Sequence, residues 1–160
     1  MPPLFQVGPL DPLDLGESGT YEPILTADAS NPSLGSEGFL LGNWLRTLTR
    51  KVDVWVEGAL AGSGANVGSG SWSISLPFEV DTGVHRVGSL AAVPSIIGYG
   101  RIRVPSGGTP LNVIAVCWTS SNTLFYATTD AGSIGAPDVN TSTTFEFKFE
   151  YMIEPGSSPL

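Results

Sequence analysis

An antiparallel β-sandwich or jelly roll with an extended N-terminal arm is the architecture this sequence predicts, and three observations predict it. Apolar residues recur with period two along several runs, the mark of strands with one covered and one wet face. Clusters of Gly, Ser, Asn and Pro separate these runs at intervals of about ten residues, as in sandwiches and jelly rolls. No stretch carries the 3.6-residue pattern of an amphipathic helix over ten or more positions.

The elements follow in chain order. Residues 1–19 read as the arm, because Pro2, Pro3, Pro9 and Pro12 interrupt it and each proline fixes φ and removes a backbone donor. Its apolar residues, Leu4, Phe5, Val7, Leu10, Leu13 and Leu15, follow no helical period and cannot form a core of their own. They are therefore the candidate subunit contacts. The sandwich domain is expected over 20–154, with strands near 21–26 and 39–48. Val52, Val54 and Val56 alternate with Asp53 and Trp55, and Trp72, Ile74, Leu76 and Phe78 alternate with Ser73, Ser75 and Pro77. Further strands are expected over 87–93, 96–104 and 123–128, with a nearly continuous apolar run over 111–118 that suits a strand covered on both sides. The last strand is the most regular: Phe145, Phe147, Phe149, Tyr151 and Ile153 alternate with Glu146, Lys148, Glu150 and Met152. A polar tail, 155–160, closes the chain.

Composition removes several function classes. The 160 residues carry 7 Lys and Arg against 15 Asp and Glu, a net charge of −8. Binding to a nucleic-acid backbone or an anionic membrane surface needs clustered cations, so neither is expected. A single cysteine, Cys117, permits no internal disulfide and no Cys-based zinc site, and a single histidine, His85, permits no His cluster. No run approaches the 18 or so apolar residues of a membrane-spanning helix. The N-terminus, Met1-Pro2-Pro3-Leu4-Phe5, lacks a basic region followed by an apolar one, so folding in a cytoplasm is expected.

Catalytic motifs are equally scarce. A serine hydrolase would need His85 as its base, yet no Gly-x-Ser-x-Gly elbow precedes a helix. Glycoside hydrolysis needs two carboxylates across a cleft, whereas Glu146 and Glu150 sit on the wet side of a strand. The segment 62–70 is Gly-rich but lacks the Lys-Ser/Thr and the following helix of a phosphate loop, and reads as a flexible connection. Asp130, Asp138 and Asn140 share a loop without the fixed spacing of a calcium site, and Asn140-Thr141-Ser142 matches a glycosylation sequon by chance. No cofactor, metal or catalytic residue is expected. Trp55 and Tyr99 fall out of register with their apolar neighbours and are expected to point outward, as a ligand platform or as part of a subunit contact.

One ordered set of short motifs says more. Tyr21-Glu22-Pro23 leads into Asn31-Pro32-Ser33-Leu34-Gly35, then Gly42-Asn43-Trp44-Leu45-Arg46, then Gly68-Ser69-Gly70-Ser71-Trp72-Ser73-Ile74-Ser75-Leu76-Pro77. This order resembles a β-module of tailed-bacteriophage virions, found in minor tail, fibre-like and capsid-decoration proteins, notably of phages of actinobacteria. The resemblance covers residues 20–80. It implies a non-enzymatic structural protein, assembled in the host cytoplasm and carried in the virion. The implied form is a homotrimer associated with the tail and touching other virion structural proteins. Two alternatives stay open: a capsid decoration protein, and a carbohydrate-binding module for a host surface glycan. The resemblance carries over no catalytic residue.

Overall fold

A computed structural model of the chain describes residues 16–48, 50–70, 72–81, 96–104, 111–117, 124–129, 132–133, 140–154 and 156–160. Ten strands run through them: β1 (Glu17–Tyr21), β2 (Leu25–Ala27), β3 (Phe39–Leu48), β4 (Lys51–Ala59), β5 (Trp72–Ser75), β6 (Ile96–Arg103), β7 (Leu111–Cys117), β8 (Leu124–Thr129), β9 (Gly132–Ser133) and β10 (Thr144–Met152). No helix occurs among the described residues. Every pairing is antiparallel, in the order β1-β3-β4-β10-β6-β7-β8-β5-β2, with β9 added to β8.

That hydrogen-bonded path doubles back on itself. From β10 to β5 it takes four steps, which in a flat sheet would put the two strands roughly 19 Å apart at the usual strand spacing. Yet the Trp72 ring of β5 lies edge-on to the Phe145 ring of β10 with centroids 6.0 Å apart. Trp44 of β3 likewise meets Phe78, just beyond β5, at 4.9 Å. Contacts this short across the path require two facing layers, so the fold is an antiparallel β-sandwich. The two ends of the path also approach each other: the Tyr21 hydroxyl at the end of β1 donates to the Ser75 carbonyl of β5 (3.2 Å).

The core shows why these sequences became these strands. In β4 the three valines are fully buried while Asp53, Trp55 and Glu57 face away. In β10, Phe145, Phe147, Phe149 and Tyr151 are buried and the alternate residues exposed. Large rings inside a closely spaced sheet need room beside them, and glycine supplies it. Five buried or half-buried rings have a glycine as cross-strand partner: Phe145 and Gly58, Phe147 and Gly100, Phe149 and Gly98, Trp44 and Gly19, Tyr21 and Gly42. A Cβ added at Gly100 would sit 2.2 Å from the Phe147 ring, and one at Gly42 2.2 Å from the Tyr21 ring. Gly19, Gly42, Gly58 and Gly100 are thus slots into which the partner's ring lies, whereas a Cβ at Gly98 would meet the β10 backbone, at 2.0 Å from the Lys148 carbonyl oxygen.

Several elements differ in detail from the sequence expectation. The first strand starts at Glu17, so the sheet takes in residues that the sequence assigns to the arm; β1 pairs along its whole length with β3. The stretch 21–26 is split, with Tyr21 ending β1 and Leu25 starting β2. The strand at 72 ends at Ser75, because Pro77 cannot donate to a ladder. The Gly-rich segment 62–70 is no free connection. It lies antiparallel to residues 28–37, with bridges Ser30–Ser69 and Ser33–Asn66 and backbone bonds from Ser36 N to Ser63 O and Ala61 N to Leu34 O. Gly35 and Gly68, both at positive φ, permit this approach: a Cβ at Gly68 would meet the Ser30 carbonyl at 2.2 Å. The tail is also tied down, with Leu160 N donating to Pro77 O and Arg46 donating to Ser157 O. The strand expected over 87–93 lies outside the described residues, as does most of the arm.

Candidate interaction surface

Side chains directly opposite on neighbouring strands share a face, so the register defines what the outer side of β3-β4-β10-β6 presents. One row runs Asn43, Trp55, Lys148, Tyr99; the next Leu41, Glu57, Glu146, Arg101; a third Phe39, Ala59, Thr144, Arg103. Tyr99 is 67 % exposed, Leu41 58 % and Phe39 44 %, three of the five large apolar side chains left exposed among the described residues. Two shallow troughs cross this face. One, of about 370 Å³, lies between Phe39, Glu57, Arg101, Arg103 and Glu146. The other, of about 270 Å³, lies between Trp55, Tyr99, Glu146 and Lys148. Glu57 and Glu146 are the wall they share.

The electrostatics of this face differ from those of the strand ends. Arg46 pairs with Glu17 (3.7 Å), Arg50 with the buried Asp81, and Lys51 with Glu150 (3.0 Å). The hydrogen bond that Lys51 donates to the Glu150 carboxylate pushes the ammonium above its ordinary pKa. Lys148 instead places Nζ 5.2 Å above the Trp55 ring, a cation–π contact that covers that ring. Among the described residues no ion pair engages Arg101, Arg103, Glu57 or Glu146. Burial pushes the Tyr21 phenol far above its ordinary value, which keeps it a neutral donor to Ser75.

Of the residues singled out in the sequence, Trp55 and Tyr99 stand on this face, in one row with Lys148 between them. Trp55 is half-buried beneath the ammonium, whereas Tyr99 stands free in solvent. Glu146 and Glu150 are exposed on the outer side of β10. Leu4, Phe5, Val7, Leu10, Leu13 and Leu15 lie outside the described residues, as do His85, Asp130 and Asp138. Asn140 serves its own turn, its side-chain oxygen accepting from Ser142 N at 2.9 Å. No group of three or more metal-ligating side chains forms among the described residues.

Sequence reasoning missed Phe39, Leu41, Glu57, Arg101 and Arg103. The parity of Tyr99, Arg101 and Arg103 was available in the sequence and would have placed both arginines beside the tyrosine. Phe39-Leu40-Leu41 carries no such signal, because apolar residues occupy both parities.

The arrangement defines an antiparallel β-sandwich domain with one apolar, doubly charged outer face. No family model matches the chain, and no curated protein matches it. Among solved structures it is similar to the crystal structure of Dettilon tailspike protein, with a TM-score of 0.52 and 15 % identity over 86 % of this chain. The match covers 23 % of the tailspike chain, so this chain spans about a quarter of that protein's length. At that identity the likeness is one of fold.

Proposed function

We propose that this chain is a non-enzymatic structural protein of a tailed-bacteriophage virion, a tail-associated β-sandwich acting as a homotrimer. The observation that carries the reading is the shared fold with part of a phage tailspike over 86 % of the chain. The motif order of residues 20–80 supports it independently, and the structure gives those motifs a purpose in building the domain. Asn31-Pro32-Ser33-Leu34-Gly35 and Gly68-Ser69-Gly70 are the two sides of one pinned loop pair. Tyr21 closes β1 onto β5, and Trp72 donates to Val67 O (2.9 Å) while packing across the layers. These residues hold shape.

In this reading the arm residues Leu4, Phe5, Val7, Leu10, Leu13 and Leu15 dock on a neighbouring subunit or virion protein. Quantitative mass spectrometry of purified particles tests the assignment. A few trimers per particle, cofractionating with tails after head removal, is the expected result. Hundreds of copies, remaining with heads, would make it a capsid decoration protein, and absence from particles would overturn the virion reading altogether.

A further inference from the structure

We infer that the outer face of β3-β4-β10-β6 is where one copy of this chain meets another. The inference deepens the homotrimer part of the proposed function and rests on it, but it is tested without particles. Its ground is the chemistry left unmatched on this face. Three apolar side chains, Phe39, Leu41 and Tyr99, stand 44–67 % exposed, which favours burial against a partner. Beside them, Arg101 and Arg103 on β6 and Glu57 and Glu146 on β4 and β10 engage in no ion pair among the described residues. The remaining described cations all have a carboxylate or an aromatic ring as partner.

The mixture of signs selects the occupant. A polyanion would meet Glu57 and Glu146 in the wall between the two troughs. A purely apolar surface would desolvate four charges without pairing them, which is costly. A sugar stacked on both Trp55 and Tyr99 would have to displace Lys148 from Trp55. A second copy brings both signs in equal number, so the β6 arginines of one copy can face the Glu57–Glu146 pair of the next while the apolar side chains bury one another. Complementary charge of this kind sets register and partner choice.

The test is sedimentation and light scattering on the purified full chain, with Arg101→Glu and Glu146→Arg as variants at exposed positions whose fold is checked by circular dichroism. Wild type is expected to run at a multiple of 16.7 kDa, threefold for a trimer. Each charge reversal is expected to weaken association by about tenfold or more, and combining both reversals in one chain to restore it. A monomeric wild type overturns the inference. So does an oligomer that withstands Leu41→Asp combined with Arg101→Glu, since its contacts then lie elsewhere. Titration with polygalacturonate, an acidic glycan, is expected to show no binding. Binding that Arg101→Glu abolishes would replace the second copy with a saccharide. An association that fails while the protein is found in particles would sink this inference and leave the virion reading standing.

Discussion

The contact between Trp72 and Phe145 is the place to test the layered architecture by energetics, because only a folded-over sheet brings these rings together. Replacing Trp72 with Leu removes much of a buried indole, 2 % exposed, and its bond to the Val67 carbonyl. Full truncation of a buried Trp costs about 3–5 kcal/mol, so the leucine variant should lose roughly 2–4 kcal/mol. Phe145→Leu keeps more of its volume and should lose about 1–2 kcal/mol. Edge-to-face ring pairs contribute about 0.5–1.5 kcal/mol beyond area burial. The double variant should therefore lose less than the two single losses combined, by about that amount. Guanidinium denaturation followed by far-UV circular dichroism on the four proteins measures the coupling without relying on tryptophan fluorescence. Residues farther apart than about 7–10 Å add within roughly 0.3–0.5 kcal/mol. Strict additivity would mean that β5 and β10 do not face each other, and the sandwich would have to be abandoned.

Four further outcomes follow from single features. Gly64 and Gly68 share a positive φ (78° and 68°), but a Cβ meets nothing at Gly64 and the Ser30 carbonyl at Gly68; in chemical denaturation Gly64→Ala should cost about 1 kcal/mol and Gly68→Ala clearly more. Asp81→Ala strips the partner from Arg50, and since the arginine side chain is 38 % exposed and can turn to water, the loss should be about 1–3 kcal/mol rather than that of a fully buried pair. The Tyr21 phenol holds its proton above the 10.0 at which an unfolded tyrosine ionises, so its contribution to stability should be level below about pH 10 and fall above it; Tyr21→Phe should remove that part of the alkaline slope. Deleting residues 1–15 should leave a cooperative unfolding transition, whereas deleting 1–19 should destabilise the domain, because it removes most of β1, including Gly19 beneath the Trp44 ring.

Strand identity was legible wherever one face is buried and the other wet. Both β4 and β10 show period two in their residues, and their burial repeats it residue for residue. What the sequence concealed is relational. That Gly98 and Gly100 face Phe149 and Phe147 depends on the register between β6 and β10, and no local pattern encodes register between strands some 45 residues apart. The loop at 62–70 misled for a different reason: Gly and Ser suit a free linker and a pinned turn equally well. Only the positive-φ glycines packed against residues 28–37 distinguish the two. The outer face was half visible, through Trp55 and Tyr99, and its arginines became meaningful only once β6 was laid beside β10.

The few cations of this chain show how its parts divide the work. Arg46, Arg50 and Lys51 cluster around the β3–β4 turn, where they hold Glu17, Asp81 and Glu150 and where Arg46 also reaches the C-terminal tail. At the opposite end residues 28–37, 61–70 and 140–143 are tied by backbone bonds, among them Leu60 N to Thr143 O at 2.9 Å. Among the described residues, both ends are thus held by contacts within the chain. Buried rings seated on glycines fill the inner faces in the same way. The outer face of β3-β4-β10-β6 is where the described residues leave charge and apolar surface together without internal partners. That combination of exposed apolar and unpaired charged side chains is what the proposed contact between copies would cover.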